Sequence, residues 1–269
     1  MGQINVALCQ FAISADILSN SSWIQSFIKE AAESDADIVH FSECALSGYA
    51  GTDFIGFEDF DWQLLAEQTE KIRELVAELG IWVVLGTSHN NPHAKRPHNS
   101  LYLIDTKGNI TDRYDKRFCT PGDIIHYMPG DRFVTFELNG VKCSLLICYD
   151  LRFPEIYREL KRLEVECVFQ SFYNARQDEP SVHTHIMRQT MQCRAATNYF
   201  WVSMTNSCTP ICPYPSCFIQ PDGKIIAQLE DETPGMMIQT IDTDKKFYDA
   251  SAPYRDLAMR GILTNKEVK

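Results

Sequence analysis

The sequence contains neither a long hydrophobic run nor a segment typical of export. No stretch of about 18 apolar residues occurs in the chain, so no membrane-spanning helix is expected. The first residues, MGQINVALCQ, lack the basic and apolar segments of a signal peptide, and Val6 stands where a myristoylation motif requires Ser or Thr. We therefore expect a cytoplasmic protein with no membrane partner.

Positive charge is also scarce. The 269 residues include 25 Lys and Arg against 36 Asp and Glu, which gives a formal net charge of -11. The nearest approach to a basic cluster is KRPH at 95–98. Because binding to a polyanion requires a basic face, the composition argues against a nucleic-acid partner.

The ten cysteines are too few for a disulfide scaffold at this length, and we expect reduced thiols in a protein that is not exported. Metal-ligand spacing is missing too. HTH at 183–185 and His126 have no partner at zinc spacing, and Cys208, Cys212 and Cys217 follow C-x3-C-x4-C instead of C-x2-C. We expect no metal site, with a fortuitous metal or redox pair as the minority alternative.

Short apolar runs alternate with helical patterns along much of the chain. Apolar residues at helical spacing, or favourable first-turn residues, predict helices over 21–34, 60–79, 154–163 and 182–197. Runs with the length of buried strands lie at 4–9, 37–43, 81–88, 100–105, 141–148, 165–171 and 199–206. The pattern is typical of an α/β fold.

Two Gly-containing turns, DTKGN at 105–109 and QPDGK at 220–224, join apolar stretches as hairpins do, so the sheets cannot be purely parallel. No sequence repeat, low-complexity tract or linker divides the chain. We predict mixed sheets with outer helices, in a single domain over 1–269 whose polar tail begins near Asp244.

Cys148 is the cysteine with the most unusual position. In LLICYDLRFPE it ends an apolar run a few residues before a helix that begins near Pro154. A strand–turn–helix bend exposes a side chain and directs backbone N–H groups toward it, which predicts a lowered thiol pKa and an oxyanion site. The alternative for any single cysteine is a buried thiol.

Two further strand ends carry side chains that such a nucleophile needs. Glu43 follows DIVHFS, and Lys116 in DRYDKRF closes the strand that the hairpin at 105–109 begins. Strand ends of α/β sheets converge on ligand sites, so a carboxylate, an ammonium group and a thiol could meet in one pocket. Each of these residues alone is more typical of a solvated surface.

Three motifs, FSECALSGY, YDKRF and LLICYDLRFPE, occur in this order and together resemble the signature regions of the nitrilase superfamily of carbon–nitrogen hydrolases. INVALCQ, PGD at 129–131 and SCFIQPDGKIIA extend the resemblance over nearly the whole chain. The resemblance implies a four-layer α-β-β-α sandwich with two mixed β-sheets and at least a homodimer. It also implies that neither a metal nor an organic cofactor is needed.

The resemblance assigns roles to the matching positions. Glu43 is implied to be the general base, Lys116 the cation near the oxyanion and Cys148 the nucleophile. The backbone N–H of Tyr149 would complete the oxyanion site. An amide or nitrile carbon would be attacked to form a thioester, and water activated by Glu43 would then hydrolyse it.

Asp123 matches a second acidic position of the family, where relatives usually carry Glu. Asp is one methylene shorter, so either the backbone lies closer, a water or small substrate group intervenes, or the role is absent. Ser42 replaces the proline usual before the base, which leaves the loop geometry open but removes no chemistry. Arg152 and Phe172 are candidates for substrate binding, although Arg152 could instead pair with Glu155.

Within this family the resemblance favours an amidase acting on a small carboxamide over an N-carbamoyl amidohydrolase, and a nitrilase comes last. Transfer of the acyl group to an amine or thiol is a further alternative. A Cys–His hydrolase that pairs Cys148 with His126, His183 or His185 is another, as is a non-catalytic binding protein on the same fold.

Overall fold

The computed structural model describes residues 2–176 and 182–266, without the side chain of His183. Its strands form two six-stranded sheets. The first sheet has the order β12 (Gly235–Asp242), β1 (Gln3–Gln10), β2 (Ile38–His40), β3 (Trp82–His89), β4 (His98–Ile104) and β5 (Ile110–Asp115). The second has the order β11 (Ile225–Gln228), β10 (Cys217–Ile219), β9 (Trp201–Thr205), β8 (Cys167–Ser171), β7 (Val141–Ile147) and β6 (Thr135–Leu138).

The two sheets share one pairing pattern. In the first, β1, β2 and β3 are parallel, β4 and β5 follow as antiparallel strands, and β12 closes the other edge antiparallel to β1. In the second, β7, β8 and β9 are parallel, β10 and β11 are antiparallel, and β6 closes the edge. The strands β1–β5 and β7–β11 thus share one topology that the sequence does not show as a repeat, whereas the closing strands β12 and β6 are connected differently.

Helices connect the parallel strands, as crossovers between parallel neighbours require. The helices are α1 (Ile17–Glu33), α2 (Trp62–Leu79), α3 (Asp123–His126), α4 (Pro154–Arg162), α5 (Val182–Asn198) and α6 (Arg255–Met259). Side-chain oxygens of Asp16 and Asp61 accept backbone N–H groups at the start of α1 and α2, and Gly80 ends α2 at φ 67°.

Alternate residues of the first sheet face two different cores. Ala7 packs with Ile28 of α1 and Val76 of α2, whereas Val6 and Leu8 belong to the core shared with the second sheet. That second core continues to α4 and α5 on the far side. The layers are therefore helices, sheet, sheet and helices, which confirms the predicted α-β-β-α sandwich with two mixed sheets.

The differences from the predicted elements lie at edges and in short segments. Strands β6 and β12 were not predicted, because one has only four residues and the other is half-buried along most of its length. The short helices α3 and α6 were not predicted either. Helix α1 begins at Ile17, before the predicted start at 21. None of the helices in the described ranges is long and apolar enough to cross a bilayer.

A buried histidine fixes the sheets against each other. His40, the last residue of β2, is hydrogen-bonded through Nε2 to Ser171 Oγ at 2.9 Å and through Nδ1 to Ser203 Oγ at 2.8 Å, both in the second sheet. Burial lowers the pKa of His40 to about 3, so the ring is neutral. These bonds join the end of β2 to the end of β8 and to the middle of β9, and the loops beyond the three strands meet at one edge.

Candidate active site

Glu43, Lys116 and Cys148 follow β2, β5 and β7 and meet at this edge. Lys116 Nζ lies 2.7 Å from Glu43 Oε1 and 2.7 Å from Asp123 Oδ2. A cavity of about 450 Å³ opens above them, lined in part by Lys116, Asp123 and Cys148. Glu43 is fully buried beside Lys116. The four residues singled out in the sequence are thus brought together.

Both oxygens of the Glu43 carboxylate are held by donors. Oε1 accepts from Asn99 Nδ2 at 2.7 Å as well as from Lys116, and Oε2 accepts from the backbone N–H of Tyr173 at 2.9 Å. Burial raises the pKa of Glu43 from its usual range, with Lys116 acting against the shift and Asp123 adding to it. This carboxylate is a stronger base than an exposed one.

The loop that carries Glu43 is held on β3 without a proline at position 42. Phe41 N–H donates to Val84 O at 3.0 Å and Leu46 N–H to Gly86 O at 2.9 Å. The Ser42 carbonyl lies so close to β3 that a Cβ on Gly86 would be 1.9 Å from its oxygen. The main-chain hydrogen bonds to β3 therefore position the Glu43 loop, and the loop can approach so closely because glycine has no side chain.

Lys116 is placed by two main-chain hydrogen bonds. Its N–H donates to Asn99 O at 2.8 Å, and its C=O accepts from Gly130 N at 2.9 Å, in the PGD segment. A Cβ at Gly130 would lie 2.4 Å from Asp115 O, so the segment requires glycine here. Burial alone would lower the pKa of Lys116, but Glu43 and other nearby groups outweigh it and raise that pKa, so the ammonium is retained.

Asp123 contacts Lys116 directly despite its short side chain. It starts the short helix α3, where Oδ2 accepts from Thr120 N at 2.9 Å and Oδ1 accepts from Tyr49 OH at 2.5 Å. Burial acts to raise the pKa of Asp123, yet Lys116 and these hydrogen bonds lower it overall. The contact between Asp123 and Lys116 needs no intervening water or substrate group.

Cys148 lies at a strained bend between β7 and a 3-10 helix over Cys148–Arg152, with φ at 38°. Buried Asp150 holds the bend: its Oδ2 accepts from Ile147 N at 3.1 Å and from Tyr114 OH at 2.7 Å, and its Oδ1 accepts from Phe118 N at 2.9 Å. Asp150 therefore links the cysteine to the segment that carries Lys116.

The Cys148 thiol differs from the sequence-based expectation in its acidity. Burial raises its pKa, and the charge of Glu43 adds to this, against a smaller lowering by Lys116. The helix N-terminus that predicted a lowered pKa belongs to a short 3-10 turn, and desolvation outweighs it. The resting sulfur is protonated and needs a base to become a nucleophile.

The other predicted residues fall into two groups. Tyr149 and Arg152 line the cavity, and Arg152 is exposed. In the described part of the chain, Arg152 forms no ion pair with Glu155 or with any other carboxylate. Phe172 does not line it: pairing of its N–H with Thr205 O continues the β8 ladder and turns the ring into the core, against Tyr214. Tyr173, next in the chain, lies at the cavity instead.

The histidines of the rival hydrolase are dispersed. His126 lines the cavity but makes no hydrogen bond to the Cys148 sulfur, whose described partner is Asn174. His185 is exposed, and the side chain of His183 lies outside the described residues. Among the described residues, no group of three or more His, Cys, Asp or Glu side chains is arranged to hold a metal ion.

Several residues of the site were not predicted from the sequence. They are Tyr49, Asn99, Asp150 and Asn174, together with the backbone N–H of Tyr173. Tyr49 and Asp150 occur inside the motifs FSECALSGY and CYDLRFPE, which was the available signal. Asn99 and Asn174 have no local signal, because their contacts come from neighbouring strands.

Known proteins resemble this chain in sequence and in structure. A hydrolase in the agr operon of Staphylococcus lugdunensis is 32% identical over 219 residues, covering 78% of this chain and 89% of that protein. An omega-amidase of Homo sapiens is 32% identical over 165 residues, covering 58% of each chain, so this chain spans less than two thirds of that relative.

Among solved structures, an amidase of the nitrilase superfamily from Nesterenkonia superposes with a TM-score of 0.80 at 22% identity, covering 97% of this chain and 98% of that one. Another form of that amidase carries the acetamide moiety of fluoroacetamide covalently on its active site cysteine. The family model for carbon–nitrogen hydrolases matches residues 5–245. The protein described here belongs to the carbon–nitrogen hydrolase family.

Proposed function

We propose that this enzyme hydrolyses a small carboxamide through a thioester on Cys148, with Glu43 as general base and Lys116 as the oxyanion cation. The observation that carries the proposal is the buried Glu43–Lys116–Asp123 cluster at the base of a cavity that Cys148 also lines. A general base is required because burial raises the thiol pKa.

In the first step, Glu43 takes the proton from Cys148 as the sulfur attacks the amide carbon. Negative charge then develops on the carbonyl oxygen, and the Lys116 ammonium with the Tyr149 N–H stabilises it. The first N–H groups of a helical turn have no partner inside the turn, which leaves the Tyr149 N–H available. Ammonia or an amine leaves with the proton from Glu43.

In the second step, Glu43 activates a water molecule that attacks the thioester, and the carboxylic acid leaves. Asp123 keeps Lys116 charged and directed at the reacting oxygen through its 2.7 Å contact. An amine or thiol that enters in place of water would make the enzyme an acyltransferase. Homodimer formation, a cytoplasmic location and a single domain stay predictions.

Replacing Asp123 with Asn is expected to reduce kcat/KM about ten- to a hundredfold, the effect of losing one hydrogen bond between charged groups. The negative charge of Asp123 raises the pKa of Glu43, so its removal should move the acidic limb of the pH–rate profile to lower pH. Asp123→Glu keeps the charge and serves as the control. An acidic limb that moves upward in Asp123→Asn would contradict this role.

A substrate with its own carboxylate is favoured by one observation, the exposed Arg152 guanidinium at the cavity wall. We expect Arg152→Gln to lower kcat/KM for omega-amides or carbamoyl amino acids about ten- to a hundredfold and to change neutral short amides little. Rates on matched pairs of charged and neutral amides measure the difference. An equal effect on both would exclude Arg152 as the carboxylate contact.

The function itself is tested on the unaltered protein. Short amides, omega-amides, carbamoyl amino acids and nitriles are supplied in parallel, with release of ammonia and the intact mass as readouts. Hydrolysis of at least one amide, with a transient acyl adduct on Cys148, is the expected result. Turnover of nitriles or carbamoyl compounds alone would support one of the lower-ranked activities, and an adduct elsewhere would refute the mechanism.

A further inference from the structure

Two consecutive residues after β8 contact Glu43 and Cys148. The backbone N–H of Tyr173 donates to Glu43 Oε2 at 2.9 Å, and the side-chain amide of Asn174 donates through Nδ2 to Cys148 Sγ at 3.5 Å. Asn174 is 7% exposed and lines the cavity. The proposed Glu/Lys/Cys mechanism leaves this amide without a role.

Asn206, after β9, holds the backbone of Asn174 from both sides. Its side-chain oxygen accepts the Asn174 N–H at 2.9 Å, and its amide donates to Asn174 O at 3.3 Å. Asn206 is fully buried. Because both main-chain polar groups of Asn174 are occupied by one side chain, the direction of the Asn174 amide is restricted.

The Cys-rich loop CTPICPYPSC in turn holds Asn206. Ser216 Oγ accepts from Asn206 N at 2.8 Å, and the Asn206 amide also donates to Tyr214 O at 3.0 Å, with Cys212 Sγ 3.1 Å from the same nitrogen. Contacts therefore run without a break from the loop through Asn206 and Asn174 to the Cys148 sulfur.

We propose that Asn174 is a further catalytic residue, whose side-chain amide donates a hydrogen bond to the Cys148 sulfur and stabilises the charge that develops there, and that Asn206 is its positioning residue. The inference rests on the proposed function. As the S–H proton passes to Glu43, the sulfur electron pair forms the C–S bond and the carbonyl electron pair moves to oxygen; Asn174 keeps its protons throughout.

The electrostatics of the sulfur agree with this role. Burial raises the pKa of Cys148, and the hydrogen bond from Asn174 acts in the opposite direction. A donor aimed at sulfur favours the thiolate over the thiol, since an anion accepts the stronger hydrogen bond. Asn is suited to this position because its amide donates at every pH and adds no charge beside Lys116.

The test is alkylation of Cys148 by iodoacetamide in the full chain, followed by intact mass as a function of pH. Asn174→Leu keeps approximate size and removes the donor. We expect its alkylation rate constant at neutral pH to fall about ten- to a hundredfold and the midpoint to move to higher pH. On an amide substrate, kcat should fall by a similar factor with KM changed less.

Asn206→Ala, which leaves the amide of Asn174 in place but free to turn, should give a smaller loss in kcat and the same direction of pH shift. Asn198→Leu is the matched control: Asn198 is 2% exposed and donates to Arg194 O at 2.9 Å near the end of α5, far along the chain from Cys148. It should lose stability without altering the alkylation profile of the folded protein.

Wild-type alkylation kinetics in folded Asn174→Leu would overturn the inference. If that variant does not fold, Asn174→Asp replaces it: a carboxylate beside the sulfur should slow alkylation, and an unchanged or faster rate would overturn the inference equally. Alkylation displaces iodide from the methylene carbon of iodoacetamide and cleaves no C–N bond. Wild-type protein that is alkylated at Cys148 but hydrolyses no amide would therefore refute the proposed function while the test of Asn174 stays readable.

Discussion

Cys148→Ala is expected to reduce amide turnover by about 10⁴-fold or more, to the level of the uncatalysed reaction. Alanine removes the sulfur that would form the thioester, while the bend around it is held by Asp150, whose three hydrogen bonds are unaffected. The fold should therefore persist. Initial rates, thermal unfolding and intact mass after incubation with substrate measure the three consequences.

Cys193→Ala provides the matched control, because Cys193 is an exposed free thiol on α5. It should keep wild-type turnover and still form an adduct at Cys148. Measurable acyl adduct or wild-type rates in Cys148→Ala would show that another group is the nucleophile and would overturn the mechanism.

Glu43→Gln is expected to lower kcat by about 10²- to 10⁴-fold, the range of a lost general base. The amide can still accept from Asn99 and Lys116 through its oxygen, but its nitrogen would face the Tyr173 N–H. With a thiol pKa already raised by burial, no other described hydrogen-bond partner of Cys148 takes its proton. Single-turnover acylation should fall with kcat.

The pH profile of this variant gives an independent check. In the wild type, kcat/KM should fall on acidification as Glu43 becomes protonated, at a pH above the ordinary carboxyl range because burial raises its pKa. Glu43→Gln should lose that limb. Glu78→Gln, at an exposed position of α2, is the control and should keep it.

The Cys–His alternative predicts the reverse pattern. His126 is the described candidate histidine at the cavity, so His126→Asn would then abolish acylation while Glu43→Gln retained it. A folded Glu43→Gln variant with near wild-type rates and an intact acidic limb would exclude Glu43 as the base.

The parts of the fold visible in the sequence are those set by neighbours along the chain. Buried strands such as β7 and amphipathic helices such as α2 follow from local apolar spacing, and the hairpin turns at 105–109 and 220–224 show why both sheets are mixed. Edge strands β6 and β12 were not predicted, because a short or half-buried strand has no strong alternation of apolar and polar residues.

The chain itself determined which residue types follow β2, β5 and β7, and its motifs determined the family. Only the tertiary structure decided that Asp123 reaches Lys116 directly, that Phe172 turns into the core, and that the Cys148 thiol is less acidic than its helix-start position suggested. Local patterns report contacts within a few residues. Distances, burial and hydrogen bonds such as that from Asn174 to sulfur depend on strands far apart in sequence, which only the folded chain brings together.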